Sequence, residues 1–406
     1  MTNQQELVAL LKQKGTGQTM SKQLEAKDLD RLTTLLTCPD VHLVTKSTIL
    51  TAMIMLPATD DEAQWLAIMK RNPRFIPEPL HCLFQTPDSV SDFFLKTVLR
   101  VMKGEDLSSP DFISMMDAIL SQSIPDTLQA SFLEAERLKR ETEEENKACL
   151  DLFWEKSQRL QTTLPLIIDL AHPYDGFSRS LNLSVFIAMT LGKMGFPTLL
   201  HGMDETSPKN GITPYKILEA MGLNPLQTLS ETELDLRDPN KGWGYCDQRI
   251  FFPELYALKT LRLQMVKRPV LSTIEKFLQP IRAEHGNYLF TGYTHPPYKG
   301  MTAAILSDKQ RTRGFSIIRG TEGSAQAPLD RRCPLVTGRT EIGDDIFIGP
   351  TDFGLSEYPR IEADKTITVQ DCVREGLDAL NGKSGYAKDC IDYNCRAILS
   401  SFGLNQ

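Results

Sequence analysis

The sequence predicts an all-helical N-terminal part followed by a mainly parallel α/β sheet domain. Three observations carry that expectation. Residues 1–157 hold helix-period apolar spacing and helix-start signals throughout. From about residue 160, short apolar runs alternate with helical stretches. At 406 residues, with 41% hydrophobic and 24% charged side chains, the chain has ordinary globular composition and exceeds what one core usually supports.

The helical part contains an internal echo. Thr59-Asp60-Asp61-Glu62 recurs as Thr142-Glu143-Glu144-Glu145, an offset of 83 residues. At that offset Leu24 matches Leu107, Leu36 matches Ile119, Val41 matches Ile124, and Ile49-Leu50 match Phe132-Leu133. Both T-x-x-E strings fit capping boxes, in which the hydroxyl and the carboxylate satisfy each other's backbone N–H. Ser109 can cap a helix with Pro110 at its first position, and Phe112, Met115, Met116 and Ile119 mark its buried stripe. Two related helical units are expected, although shared helix grammar would produce a similar echo.

Beyond residue 160, strands are expected at Leu164–Leu170, Phe196–Leu200, Tyr288–Tyr293, Phe315–Ile318 and Ile346–Ile348. Helices are expected at Leu181–Met194, Pro214–Met221, Pro253–Leu278 and Val369–Leu380. The divisions are thus 1–95, a helical extension echoing the next unit; 96–160, a helical domain; and 161–406, the α/β domain.

Composition narrows the function classes. The start MTNQQELVALLKQKG lacks the order of a secretion signal, and Ile49–Pro57 is far shorter than the roughly 20 residues of a membrane helix. Eight cysteines, without a C-x-x-C pair, suggest neither zinc nor a disulfide framework; they read as reduced thiols of a cytoplasmic protein. The net charge of −7 hides an asymmetry, because residues 241–340 hold 16 Lys or Arg against 7 Asp or Glu. That segment carries +9 and the remainder −16, a balance that can attract phosphates locally and permits nucleic acid without demanding it.

The segment after the first strand, Asp169 to Ser184, is the first place to look for a ligand. Open parallel sheets bind at the carboxyl ends of their strands, near N–H groups free to meet anions. Asp175-Gly176 can turn the chain, Ser178, Ser180, Asn182 and Ser184 supply neutral hydrogen-bonding groups, and Arg179 supplies a charged fork. The same residues suit a plain turn and helix cap.

This segment, with Leu199-Leu-His-Gly202, resembles the anthranilate phosphoribosyltransferase family, glycosyltransferase family 3. In that family a GTGGD-type phosphate loop follows the first strand, an N-x-S-T motif comes next, and a second strand ends in K-H-G-N. Here they read Ala171-His-Pro-Tyr-Asp175, Asn182-Leu-Ser184-Val185 and Leu200-His201-Gly202-Met203. The resemblance extends through Lys103–Glu145 and Gly385–Leu399. It implies a sheet domain of the phosphoribosyltransferase and nucleoside phosphorylase type, with helices of 245–282 packing on the helical domain, and a homodimer formed through that domain.

The departures are chemically specific. A diphosphate cradle needs glycines for close backbone approach, whereas Pro173 has no N–H and Ala171 and Tyr174 restrict the loop. The family's H-G-x-D-G-x-D-E motif, whose last two acids hold magnesium, reads Arg319-Gly-Thr-Glu-Gly-Ser-Ala325-Gln326. Magnesium wants hard oxygen ligands, which Ala325 and Gln326 cannot replace as a pair.

The motifs resemble a divergent branch that keeps the fold, lacks the transferase activity and binds nucleic acid. That resemblance implies a non-catalytic binder of nucleic acid or another phosphorylated ligand, with no metal, cofactor or catalytic residue. The alternative is a pentosyl transferase on a changed substrate, with magnesium, so enzyme status stays open. The expected ligand residues are Asp175, Gly176, Ser178, Arg179, Asn182, Ser184, His201, Gly202, Arg319 and Glu322. His201 equally suits a structural role, and Arg319 with Glu322 a plain salt bridge. Arg262, Lys267, Arg268 and Lys276 lie on one expected helical stretch, which suits either polyanion contact or a solvated basic face.

Overall fold

The computed structural model describes residues 1–308, 311–359 and 366–404. They form two compact units, Met1–Leu152 with Ala257–Leu271, and Phe153–Tyr256 with Ser272–Gln406. The extension and the helices after it therefore share one unit.

In the helical unit the echo becomes geometry. Helices Ala26–Thr37, Leu43–Met55 and Asp60–Arg71 recur as Ser109–Leu120, Asp126–Lys139 and Glu143–Lys156, each starting 83 residues after its counterpart. The helix at 109 is capped by Ser108 rather than by the expected Ser109, with the Ser108 hydroxyl accepting from Asp111 N at 3.3 Å.

Both capping boxes close around a fully buried acid. Glu62 accepts from Thr59 N at 2.9 Å, from Leu24 N at 3.0 Å and from Lys14 Nζ at 2.8 Å. Glu145 accepts from Thr142 N at 2.7 Å, from Leu107 N at 2.8 Å and from Lys139 Nζ at 2.8 Å. The backbone donors obey the offset, whereas the two lysines come from unrelated positions. The equivalent helices Leu43–Met55 and Asp126–Lys139 pack on each other, where Ser47 Oγ meets Ser131 Oγ at 2.6 Å and donates to Thr127 O.

The expected helix Pro253–Leu278 is instead broken into Pro253–Ala257, Lys259–Met265, Leu271–Ile274 and a 3₁₀ turn at Glu275–Phe277. Val266, at φ 58°, ends the second piece in the left-handed region. The stretch Ala257–Leu271 belongs to the helical unit, where Thr45 Oγ1 donates to Gln264 O at 2.7 Å.

The other unit is the α/β domain. Its described strands are β1 (Leu160–Gln161), β2 (Ile168–Ala171), β3 (Thr198–Gly202), β4 (Trp243–Asp247), β5 (Ile281–Arg282), β6 (Tyr288–Gly292), β7 (Gly314–Ile318), β8 (Cys333–Gly338) and β9 (Ile346–Ile348). β1 and β5 pair in parallel, and the rest form one sheet in the order β4-β3-β2-β6-β7-β8-β9. It is parallel from β4 to β7, with β8 and β9 antiparallel at one edge. Every residue of β2, β3, β4, β6 and β7 is buried, as a sheet covered by helices on both faces requires. Chain order runs outward on both sides of the β2–β6 pair, making a switch point between them.

Among the described residues, no helix is long and apolar enough to cross a membrane. All eight cysteines are free thiols.

Candidate functional site

A cleft of about 660 Å³ opens at the carboxyl ends of β6 and β7, beside the loop that follows β2. Arg179 and Ser180 of that loop, Tyr293 and Thr294 after β6, and Arg319 and Glu322 after β7 line it, with Arg331 and Tyr386 completing the wall. Two features of the backbone build the wall. Gly320 and Gly292 lie so close to the next turn that a Cβ on either would meet Ser324 O, at 1.9 Å and 1.8 Å. Glu322 itself sits at φ 52°, which aims its side chain back across the cleft wall to the loop.

There the Glu322 carboxylate is gripped by four groups. Arg179 N donates to it at 2.8 Å, Ser178 N at 3.1 Å, Ser178 Oγ at 3.1 Å, and Lys209 Nζ pairs with it at 3.1 Å. Lys209 is itself fixed by the carbonyls of Gly176 and Glu322, at 3.0 Å and 3.2 Å. Burial pushes the Glu322 carboxyl up, but Lys209 and the amides of Arg179 and Ser178 outweigh it, so the group lies below the usual carboxylate range. The exposed guanidiniums of Arg179 and Arg319 make no hydrogen bond or ion pair among the described residues, whereas Arg331 pairs with Asp330 at 2.7 Å.

The remaining expected ligand residues face the interior. Asp175 is buried, and Gly176 serves the turn: at φ +71° a Cβ there would meet Ile212 C at 2.7 Å. The Asn182 amide is consumed locally, donating to Ile212 O at 2.9 Å and accepting from Ser184 N at 3.1 Å and Ser184 Oγ at 2.6 Å. His201 lies under the sheet end, its Nε2 facing Asp169 Oδ1 at 3.2 Å and its Nδ1 bonded to the Tyr174 hydroxyl, which also meets Glu275 O at 3.0 Å. Gly202 is likewise buried. Nearby His172 is driven down to about 3, first by burial and then by His201 and Lys276, so it is a neutral core residue.

The basic quartet is not an exposed stripe. Arg262 is wholly buried, Lys267 donates to Leu11 O at 3.0 Å, and Lys276 donates to Gly292 O at 3.2 Å. Only Arg268 of the four is exposed. Burial also pulls Lys267 down to about 8.

The residues that the sequence resemblance sets against a magnesium motif do not fit the ion. Ala325 offers no donor, and Gln326 spends its amide holding the loop, accepting from Leu183 N at 2.9 Å and donating to Leu181 O at 3.0 Å. Among the described residues no three His, Cys, Asp or Glu side chains are grouped to hold a metal. Sequence reasoning missed Lys209, Tyr293 and Arg331. The Arg331-Arg332 pair within the basic segment was an available signal, whereas nothing local distinguishes Lys209.

Residues 96–156 match the glycosyl transferase family helical bundle domain. An uncharacterized protein of Aquifex aeolicus is 28% identical over 68% of this chain and 79% of its own length. The anthranilate phosphoribosyltransferase of Endomicrobium trichonymphae is 24% identical over 76% of this chain and 88% of its own. The crystal structure of the Thermus thermophilus anthranilate phosphoribosyltransferase shares the fold, with a TM-score of 0.62 at 19% identity, covering 76% of this chain and 89% of that one.

Proposed function

We propose that this anthranilate phosphoribosyltransferase-like chain is a non-catalytic binder of a phosphorylated ligand, held in the cleft by Arg179 and Arg319. One observation carries the reading: two uncommitted guanidiniums face a strand-end cleft whose metal-binding acid pair is replaced by Ala325 and an amide tied into the fold. Guanidinium forks match phosphate oxygens in pairs, and such bonds are roughly twice as strong as neutral ones.

The cleft volume of about 660 Å³ fits a nucleotide or another small phosphorylated molecule. Nucleic acid, the partner that the basic quartet first suggested, would be held here through a single phosphate. The inward course of Arg262, Lys267 and Lys276 removes a phosphate-tracking stripe.

The test is calorimetric titration with a nucleoside monophosphate and with a short single-stranded oligonucleotide, both without magnesium. Binding that weakens with salt and is lost in the double variant Arg179→Ala, Arg319→Ala is expected. Binding indifferent to that double variant would refute the site. Magnesium-dependent turnover of phosphoribosyl diphosphate would restore the transferase alternative.

A further inference from the structure

The geometry points to Glu322 as a built-in anion that fills an oxyanion cradle, so that a phosphoryl group reaches the full set of donors only by displacing it. The inference rests on the reading of the cleft as a phosphate site and names what controls it.

Four donors converge on one carboxylate: two consecutive backbone N–H groups, the Ser178 hydroxyl beside them, and the Lys209 ammonium. Consecutive N–H groups with a lysine and a hydroxyl are the equipment of an anion nest, indifferent to whether the oxygens belong to carbon or phosphorus. A carboxylate offers two oxygens, and both are used here, Oε1 by Arg179 N and Oε2 by Ser178 Oγ and Lys209. A phosphoryl group offers three, so it could keep those contacts and turn its third oxygen to the free guanidiniums at the cleft wall.

The position of the acid suits a plug rather than a strut. Its side chain is only 5% exposed, and that of Lys209 13%, yet Glu322 itself lines the cleft, while Ser178 and Arg179 are exposed. Removing the carboxylate would open the cradle directly onto the cavity. The backbone supports the same view, since Glu322 adopts a left-handed conformation unusual for a non-glycine residue, between Thr321 and Gly323 at φ +81°. The turn therefore holds an uncommon geometry to present this one acid to the loop.

The cradle also explains how the loop dispenses with the glycines of a diphosphate loop. Pro173 has no N–H and Tyr174 turns inward to His201 and Glu275, so the donors that meet an anion lie further along, at Ser178 and Arg179. Lys209 reaches them from the stretch after β3, tying the loop's Gly176 carbonyl to the turn that carries Glu322.

The deciding experiment is calorimetric titration of the full chain with inorganic pyrophosphate at fixed low salt. Wild type, Glu322→Ala, Glu322→Gln, Glu322→Ala with Lys209→Met, and the Arg179→Ala, Arg319→Ala variant are compared. Removing the internal competitor should tighten pyrophosphate binding by roughly tenfold or more, the equivalent of one charge-assisted hydrogen bond. Lys209→Met should abolish that gain. Glu322→Gln, which keeps the shape but not the charge, should move in the same direction by less, and it decides the matter if the alanine variant does not fold. Unchanged or weaker binding in both folded Glu322 variants overturns the plug. If wild-type binding is nonetheless lost on removing Arg179 and Arg319, the cleft remains the phosphate site without a plug; if no variant binds pyrophosphate, the cleft reading itself falls.

Discussion

The helical unit and the cleft of the α/β unit both hold a glutamate that accepts from backbone N–H groups and a lysine, but in different settings. Glu62 and Glu145 are fully buried, each closing a capping box at the start of a helix. Glu322 sits on a positive-φ turn in the wall of an open cleft. Equivalent bonding thus gives a fastener where no competitor can enter and a displaceable anion where one can. Surroundings, rather than the hydrogen-bond inventory, decide whether an acid is structural or functional.

The largest effect that would test this contrast is on the fastener. Glu62→Ala leaves Lys14 buried without its carboxylate, whereas after Glu145→Ala Lys139 still faces Asp106 at 3.0 Å and Glu136 at 3.5 Å. Glu62→Ala should cost about 3–5 kcal/mol in urea unfolding of the full chain, the range for breaking a buried pair, and Glu145→Ala less. Equal losses would show that the other acids around Lys139 compensate nothing, and a loss under about 1 kcal/mol at Glu62 would make that fastener no stronger than a surface pair.

At the cleft the expectation reverses, with ligand affinity changing more than stability. Arg179→Ala with Arg319→Ala should weaken pyrophosphate binding by roughly ten- to a hundredfold. It should leave the unfolding free energy within about 0.5 kcal/mol, because both side chains are exposed. A large stability loss would make the guanidiniums structural and erase the contrast.

Acid should separate the units more gently. His172 is held down to about 3, below its usual value of about 6.5, so its contribution is complete above 6.5 and is lost as pH falls towards 3. Burial, followed by the charge of Glu145, instead raises the Glu136 carboxyl well above its usual range, so the helical unit gains from its protonation as pH falls. Unfolding followed in variants retaining only Trp65 or only Trp243 should therefore show the α/β unit weakening first between pH 6.5 and 4.5. Replacing His172 with Gln should flatten that slope.

The parts that were legible in the sequence are those written locally. The T-x-x-E boxes revealed the repeat because both partners lie within one helical turn. Continuous apolar runs revealed β2, β3, β6 and β7, since strands buried on both faces need no alternation. β4 and β8 escaped because Gly244 and Pro334 interrupt them: Gly244 lets Thr232 approach the strand, and Pro334 removes an N–H from β8. Arg179, Arg319 and Glu322 were found because they border recognisable motifs, whereas Lys209 arrives by tertiary approach alone. The basic quartet was misjudged because a charge count does not reveal direction. Lys267 and Lys276 bend inward to carbonyls that no local pattern associates with them.

The packing of helix Leu43–Met55 on its own counterpart, Asp126–Lys139, has a consequence for concentration. Like meeting like across a shared face is the usual way two separate copies associate, and then its strength depends on how much protein is present. With both copies on one chain, the encounter is a unimolecular event at a fixed effective molarity, so this contact persists at any dilution.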